Sequence, residues 1–148
     1  VRLPVGYGAH PYIDAGFFAG ADSIADLNLE HTFAKALVTD ERLLPVELAD
    51  APAIGRIRDT ELDSAWTSPQ NGWRVLLSND AAQVEITASG CEWVQVYTPP
   101  ERDSIAIEPM TCGPNAFNDE ITANGLAWLE PGDHLGATWW VSTSARTP

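Results

Sequence analysis

Two side chains in this sequence have surroundings suited to moving protons. Glu108 lies within SIAIEPMTCGPNAFN, residues 104–118, where a short apolar run meets a loop rich in Pro, Gly and Asn. Ser104-Ile105-Ala106-Ile107 reads as a strand. Pro109 has no N–H to donate, so it is expected to end the ladder and leave Glu108 at the strand terminus, free to face a cleft as a base. The plainer reading of a strand-end Glu before Pro is a solvated boundary residue. His10 lies in Gly6-Tyr7-Gly8-Ala9-His10-Pro11-Tyr12, where two glycines permit tight backbone geometry and Pro11 restricts the residue before it. An imidazole held in this way is suited to proton transfer, and an acid paired with a base is what general acid–base chemistry requires.

The elements that must position these groups are strands. Trp73–Leu77, Gln83–Thr87, Trp93–Tyr97 and Thr138–Val141 alternate with period two. Ser78-Asn79-Asp80, Ser89-Gly90 and Pro99-Pro100 punctuate them at the cadence of an antiparallel sandwich with hairpin connections. One stretch, Leu27–Leu37, has Leu29, Phe33 and Leu37 at helical spacing, yet its flanks also suit a strand. Six Trp are present. Each reads first as core packing, with Trp66 the one whose place near Asp63 also admits stacking on a sugar.

Composition limits the classes of function. The chain has 148 residues, 45% of them hydrophobic, without repeats or low-complexity tracts, and is expected to form one unit, residues 1–148. Eight basic against 21 acidic residues give a net charge of −13, which repels phosphate backbones and anionic membrane surfaces. No nucleic-acid or membrane partner is expected, and a neutral small molecule is the easier ligand. Cys91 and Cys112 are read as free thiols. His10, His31 and His134 have no metal-ligand spacing, so no metal is expected.

Taken in order, GYGAHPY, ELDSAW (61–66), IAIEPMTCGPNAFN and LEPGDHLGATWW (129–140) resemble the galactose mutarotase (aldose 1-epimerase) family. The resemblance runs from about Gly6 to about Val141. It implies an all-β fold, an antiparallel β-sandwich of the galactose mutarotase-like supersandwich type, of which this chain would be only the C-terminal half. It also implies an isomerase, with Glu108 as the base on the anomeric hydroxyl and His10 as the acid at the ring oxygen. Asp63 would accept hydrogen bonds from sugar hydroxyls, although Ser64 departs from the His or Asn that often follows it in the family. No cofactor is implied. The imidazolium of His10 is expected to keep Glu108 ionised. Tyr12, Thr111 and Asn115 are further pocket candidates.

In the family the other half of the domain supplies an arginine and a second histidine to the cleft, and neither His31 nor His134 is expected to replace them. The only methionine is Met110 and the chain opens at Val1, so a fragment is expected. Such a fragment should associate with the complementary N-terminal half or with itself. The expected substrate is an aldohexose such as galactose or glucose, and the expected location is the cytoplasm. Three alternatives remain: a non-catalytic carbohydrate-binding protein, an inactive mutarotase fragment, and a hexose-6-phosphate 1-epimerase drawing on Arg56, Arg58 or Arg74.

Overall fold

Alternating apolar and polar residues dictate strands almost throughout the computed structural model, which describes residues 1–145. In chain order these are β1 (Leu3–Val5), β2 (Tyr12–Asp14), β3 (Asn28–His31), β4 (Phe33–Thr39), β5 (Pro45–Asp50), β6 (Gly55–Arg56) and β7 (Asp63–Pro69). There follow β8 (Trp73–Ser78), β9 (Ala82–Ser89), β10 (Trp93–Tyr97), β11 (Ser104–Met110), β12 (Ala127–Leu129) and β13 (Thr138–Ala145). The only helical pieces among the described residues are two 3-10 turns, Ala15–Phe17 and Ile24–Asp26, capped by the side chains of Asp14 and Ser23.

All strand pairs are antiparallel. A six-stranded sheet runs β2-β11-β10-β7-β4-β5 and a five-stranded sheet runs β13-β9-β8-β3-β6, while β1 and β12 form a small ribbon. The two large sheets enclose one core. Trp66, Val94, Val96, Ile105 and Ile107 of the first meet Leu29, Val75, Leu77, Val84 and Ile86 of the second, all buried. This is the antiparallel sandwich that the strand cadence predicts. The turns also fall where expected: Asn79 Oδ1 accepts from the amides of Ala81 and Ala82 to close the β8–β9 hairpin.

One open reading is resolved and one local expectation changes. Leu27–Leu37 forms no helix. It is split at Thr32 into β3 and β4, which belong to different sheets. Residues four apart share a face in a strand as well as in a helix, so Leu29 and Phe33 enter the core without a helical turn.

Nor does Pro109 end β11, which continues through it to Met110 and leaves Glu108 within the strand rather than at its terminus. Ile107 N donates to Pro11 O at 3.2 Å, and Pro109 O accepts from Ala9 N at 3.1 Å. The odd-numbered residues of β11 therefore turn their backbone groups away from β10. The donor that Pro109 lacks lies on that outer side, so the β10–β11 ladder loses nothing.

The sandwich is unevenly covered. β13 is an edge strand without a charged residue, and Trp140 and Val141 are exposed on it. At the far edge of the six-stranded sheet, Val46 and Leu48 of β5 are exposed as well. Cys91 and Cys112 are free, as read from the sequence; burial, reinforced by Glu92, pushes the Cys91 thiol up to about 11. Among the described residues, no helix is long and apolar enough to cross a membrane.

Candidate active site

Strand alternation sends Ile105 and Ile107 of β11 into the core and Glu108 to the opposite face of the six-stranded sheet. There Glu108 is directly across from Gln95 of β10, and Gln95 is across from Ala65 of β7. One pleat further along, the facing residues are Ala106, Tyr97 and Asp63. Asp63, Ala65, Gln95, Glu108 and Met110 thus line one open cavity of about 330 Å³, closed on the far side by Leu37 and Thr39 of β4.

His10 reaches the same place from the other end of the chain. The bonds from Ala9 to Pro109 and from Ile107 to Pro11 fasten the backbone on both sides of His10 to β11 on both sides of Glu108. As a result, His10 Nε2 stands 3.2 Å from Glu108 Oε1. The imidazole is about half exposed, whereas the carboxylate is only 14% exposed. Tyr12 packs its ring 5.0 Å from that of His10 but does not line the cavity. Upstream, Tyr7 N donates to Thr111 Oγ1 at 2.9 Å, Thr111 N returns a bond to Tyr7 O at 2.9 Å, and Tyr7 Oη accepts from Trp139 Nε1 at 3.0 Å. Thr111 therefore anchors the His10 segment from below and is buried.

Burial raises the pKa of Glu108 above the ordinary carboxylate value, and the negative charge of Asp63 adds to the rise. His10 opposes both, but burial prevails. His10 acts on Glu108 in the expected direction, toward ionisation, while desolvation makes this carboxylate a stronger base than a solvated one.

Gln95 escaped sequence reasoning, because a polar residue alternating along a strand reads as a solvent-facing position. Its Nε2 donates to Asp63 Oδ1 at 2.6 Å, while its Oε1 is buried without a partner. A buried acceptor left unpaired beside a carboxylate points to a ligand hydroxyl as its missing donor.

Other candidates fall elsewhere. Trp66 is fully buried on the core face, opposite Asp63, with the His31 ring stacked 4.3 Å from it, so it cannot meet a sugar. Residues three apart on a strand point to opposite faces. Asn115 adopts a left-handed conformation with φ of 61° and bonds Asn118 rather than lining the cavity. His31 Nε2 is 2.8 Å from Pro52 O, and His134 is exposed. Arg56 pairs with Asp26 and Arg74 with Glu85, and no arginine lines the cavity around Glu108. Among the described residues, no group of three or more His, Cys, Asp or Glu side chains is placed to hold a metal ion.

The loop after β11 folds over Trp93, whose Nε1 donates to Asn124 O at 3.2 Å. Gly125 closes it with φ of +85°, and a Cβ there would lie 1.8 Å from Thr111 O. Gly125→Ala must displace Thr111 and is expected to cost at least about 1 kcal/mol. A thermal midpoint equal to that of the wild type would show that this contact is not needed.

The model of the aldose 1-epimerase family matches residues 1–142. YihR, an uncharacterized protein of Escherichia coli K12, is 27% identical over 142 residues, covering 89% of this chain and 44% of YihR. A galactose mutarotase-like protein from Clostridium acetobutylicum superposes with a TM-score of 0.78 at 15% identity, over 97% of this chain and 48% of its own. A galactose mutarotase related enzyme from Lactobacillus acidophilus gives 0.66 at 19% identity, over 99% of this chain and 53% of its own. The two solved structures share the sandwich. This chain spans about half the length of the relatives it matches. With a match that runs from the His10 segment through Glu108 to β13, the chain belongs to the aldose 1-epimerase family.

Proposed function

We propose that this chain carries the proton-transfer site of an aldose 1-epimerase, which interconverts the α and β anomers of an unphosphorylated aldohexose such as galactose or glucose. The observation that carries the reading is the contact of 3.2 Å between His10 Nε2 and Glu108 Oε1 on an open sheet face. Glu108 takes the proton of the anomeric hydroxyl while His10 gives one to the ring oxygen, and the C1–O5 bond opens to the free aldehyde. Rotation about C1–C2 presents the other carbonyl face. Reclosure with the two roles reversed yields the other anomer, and no proton is gained or lost overall.

The raised pKa of Glu108 suits this work, because a base is most effective when its pKa approaches the working pH. Asp63 and Gln95 supply acceptors for the sugar's remaining hydroxyls. Two free thiols agree with a cytoplasmic setting.

The test is polarimetric relaxation of freshly dissolved α-D-glucose and α-D-galactose, read against spontaneous mutarotation. Acceleration that is lost in His10→Asn supports the reading. No acceleration by the chain, alone or joined to the rest of a family domain, would sink it.

We also propose a polypeptide partner, either the complementary half of the domain or a second copy. The uncharged edge of β13 and the exposed Trp140, Val141, Val46 and Leu48 favour it, since such edges and patches are normally covered. Light scattering after size exclusion is expected to give a mass well above 16.0 kDa. A monodisperse monomer would refute association.

A further inference from the structure

The cavity around Glu108 has two unlike walls. Its acceptors, Glu108, Gln95 and Asp63, come from β11, β10 and β7, while β4 and the loop after it contribute Leu37, Thr39 and Leu43. In the order β11-β10-β7-β4 the second wall stands three strands from the first, roughly 14 Å. Thr39 offers the one side-chain hydroxyl on it, between two leucines in sequence.

Leu43 is held at this wall against its own backbone preference. Its φ of 60° lies in the left-handed region, which Gly and Asn enter at little cost and other side chains resist. Of the six described non-glycine residues with positive φ, Leu43 alone is aliphatic. Asp40 builds the loop around it. The Asp40 Oδ1 accepts from Arg42 N at 2.8 Å and from Leu44 N at 2.9 Å, and the Asp40 carbonyl accepts from Leu43 N at 3.0 Å. The side chain gains little burial in return, being 65% exposed and outside the core. A strained leucine exposed at the mouth of a cavity is accounted for when the ligand of that cavity covers it.

With C1 and the ring oxygen at Glu108 and His10, the opposite bond of a pyranose ring is C3–C4, and it points across the sheet toward β4. Two hydroxyls on that bond would meet the single hydroxyl of Thr39. A hydroxyl pressed on an aliphatic wall gives up water without gaining a partner, whereas a hydrogen or an ether methyl at the same place covers apolar surface. We propose that Leu43, with Leu37, is the specificity wall of the site, and that the substrate is an aldohexose whose C3 or C4 hydroxyl is absent or capped as an alkyl ether. The inference rests on the epimerase reading above and narrows its substrate class.

Isothermal titration of the chain with glucose and galactose, and with their 3-deoxy, 4-deoxy, 3-O-methyl and 4-O-methyl derivatives, tests the two readings separately. At least one derivative is expected to bind about tenfold or more tightly than its parent sugar, the scale at which an apolar pocket distinguishes one methylene. Leu43→Asn is expected to remove that gain. Because Asn tolerates the left-handed conformation, the thermal midpoint of this variant should be at least that of the wild type. Parent sugars that bind as tightly as every derivative, or a gain that survives Leu43→Asn, overturn the wall and leave the epimerase reading standing. A lowered midpoint assigns Leu43 to the fold and also overturns it. Failure of every sugar to bind overturns both readings.

Discussion

Glu108→Gln is expected to lower the rate of anomer interconversion by about 100- to 10,000-fold, the usual contribution of a positioned general base. The amide keeps the shape of the side chain but cannot take the anomeric proton. Polarimetry measures the loss, and a variant retaining more than about a tenth of the wild-type rate would exclude Glu108 as the base. The wild-type rate at saturating sugar should fall as pH drops through the Glu108 pKa. Because burial and Asp63 raise that pKa, the acid limb should lie above the ordinary carboxylate range. Asp63→Asn removes one of the two raising causes and should shift the limb to lower pH.

Glu108→Gln is also expected to stabilise the protein at neutral pH. A carboxyl whose folded pKa exceeds its unfolded value binds its proton more tightly when folded. Its favourable contribution is complete below the unfolded pKa and is lost as pH rises through the folded pKa. At pH 7 the ionised Glu108 therefore burdens the fold, and Gln carries no such burden. The Glu108→Gln midpoint should exceed the wild-type midpoint at pH 7, with the difference closing in acid. A midpoint lower than wild type at pH 7 would contradict the assigned desolvation.

Trp66→Ala is expected to have the largest effect on stability, about 3–5 kcal/mol. Trp66 has no exposed surface and packs between the sheets beneath the site, with His31 stacked on it. For a domain whose whole stability is about 5–15 kcal/mol, a loss of that size brings many molecules close to unfolding. Trp66→Phe separates size from polarity. The indole Nε1 is buried without a partner, so removing it relieves an unsatisfied donor while most of the ring is kept. Urea unfolding should show a much smaller loss for Phe than for Ala. Equal losses would mean that the indole N–H is satisfied after all.

These residues also show what the sequence could and could not reveal. β8, β9, β10 and β13 were legible because each is rich in β-branched and aromatic residues and bounded by turn chemistry, with β9 alternating most cleanly. His10 and Glu108 were legible as members of ordered motifs, although their contact depends on pairing between distant segments, which no local pattern encodes. Pro109 misled because its effect depends on which side of the strand its missing donor faces, and parity alone decides that. The Leu29, Phe33 and Leu37 spacing satisfied two periods at once, and the switch between sheets at Thr32 resolved it. Gln95 was hidden because exposure on an open sheet face and exposure to a cavity give the same alternation.

The order of strands in the six-stranded sheet has a kinetic consequence. The six strands are interrupted in sequence by strands of the other sheet, so although β4–β5 and β10–β11 are local hairpins, the β2–β11, β10–β7 and β7–β4 pairings form only after loop closure. His10 is tied in by a strand of only three residues at the sheet edge, paired to a strand from the far end of the chain. The site is thus assembled among the last acts of folding, and the appearance of catalysis during refolding would time the completion of the whole sandwich rather than of any part of it.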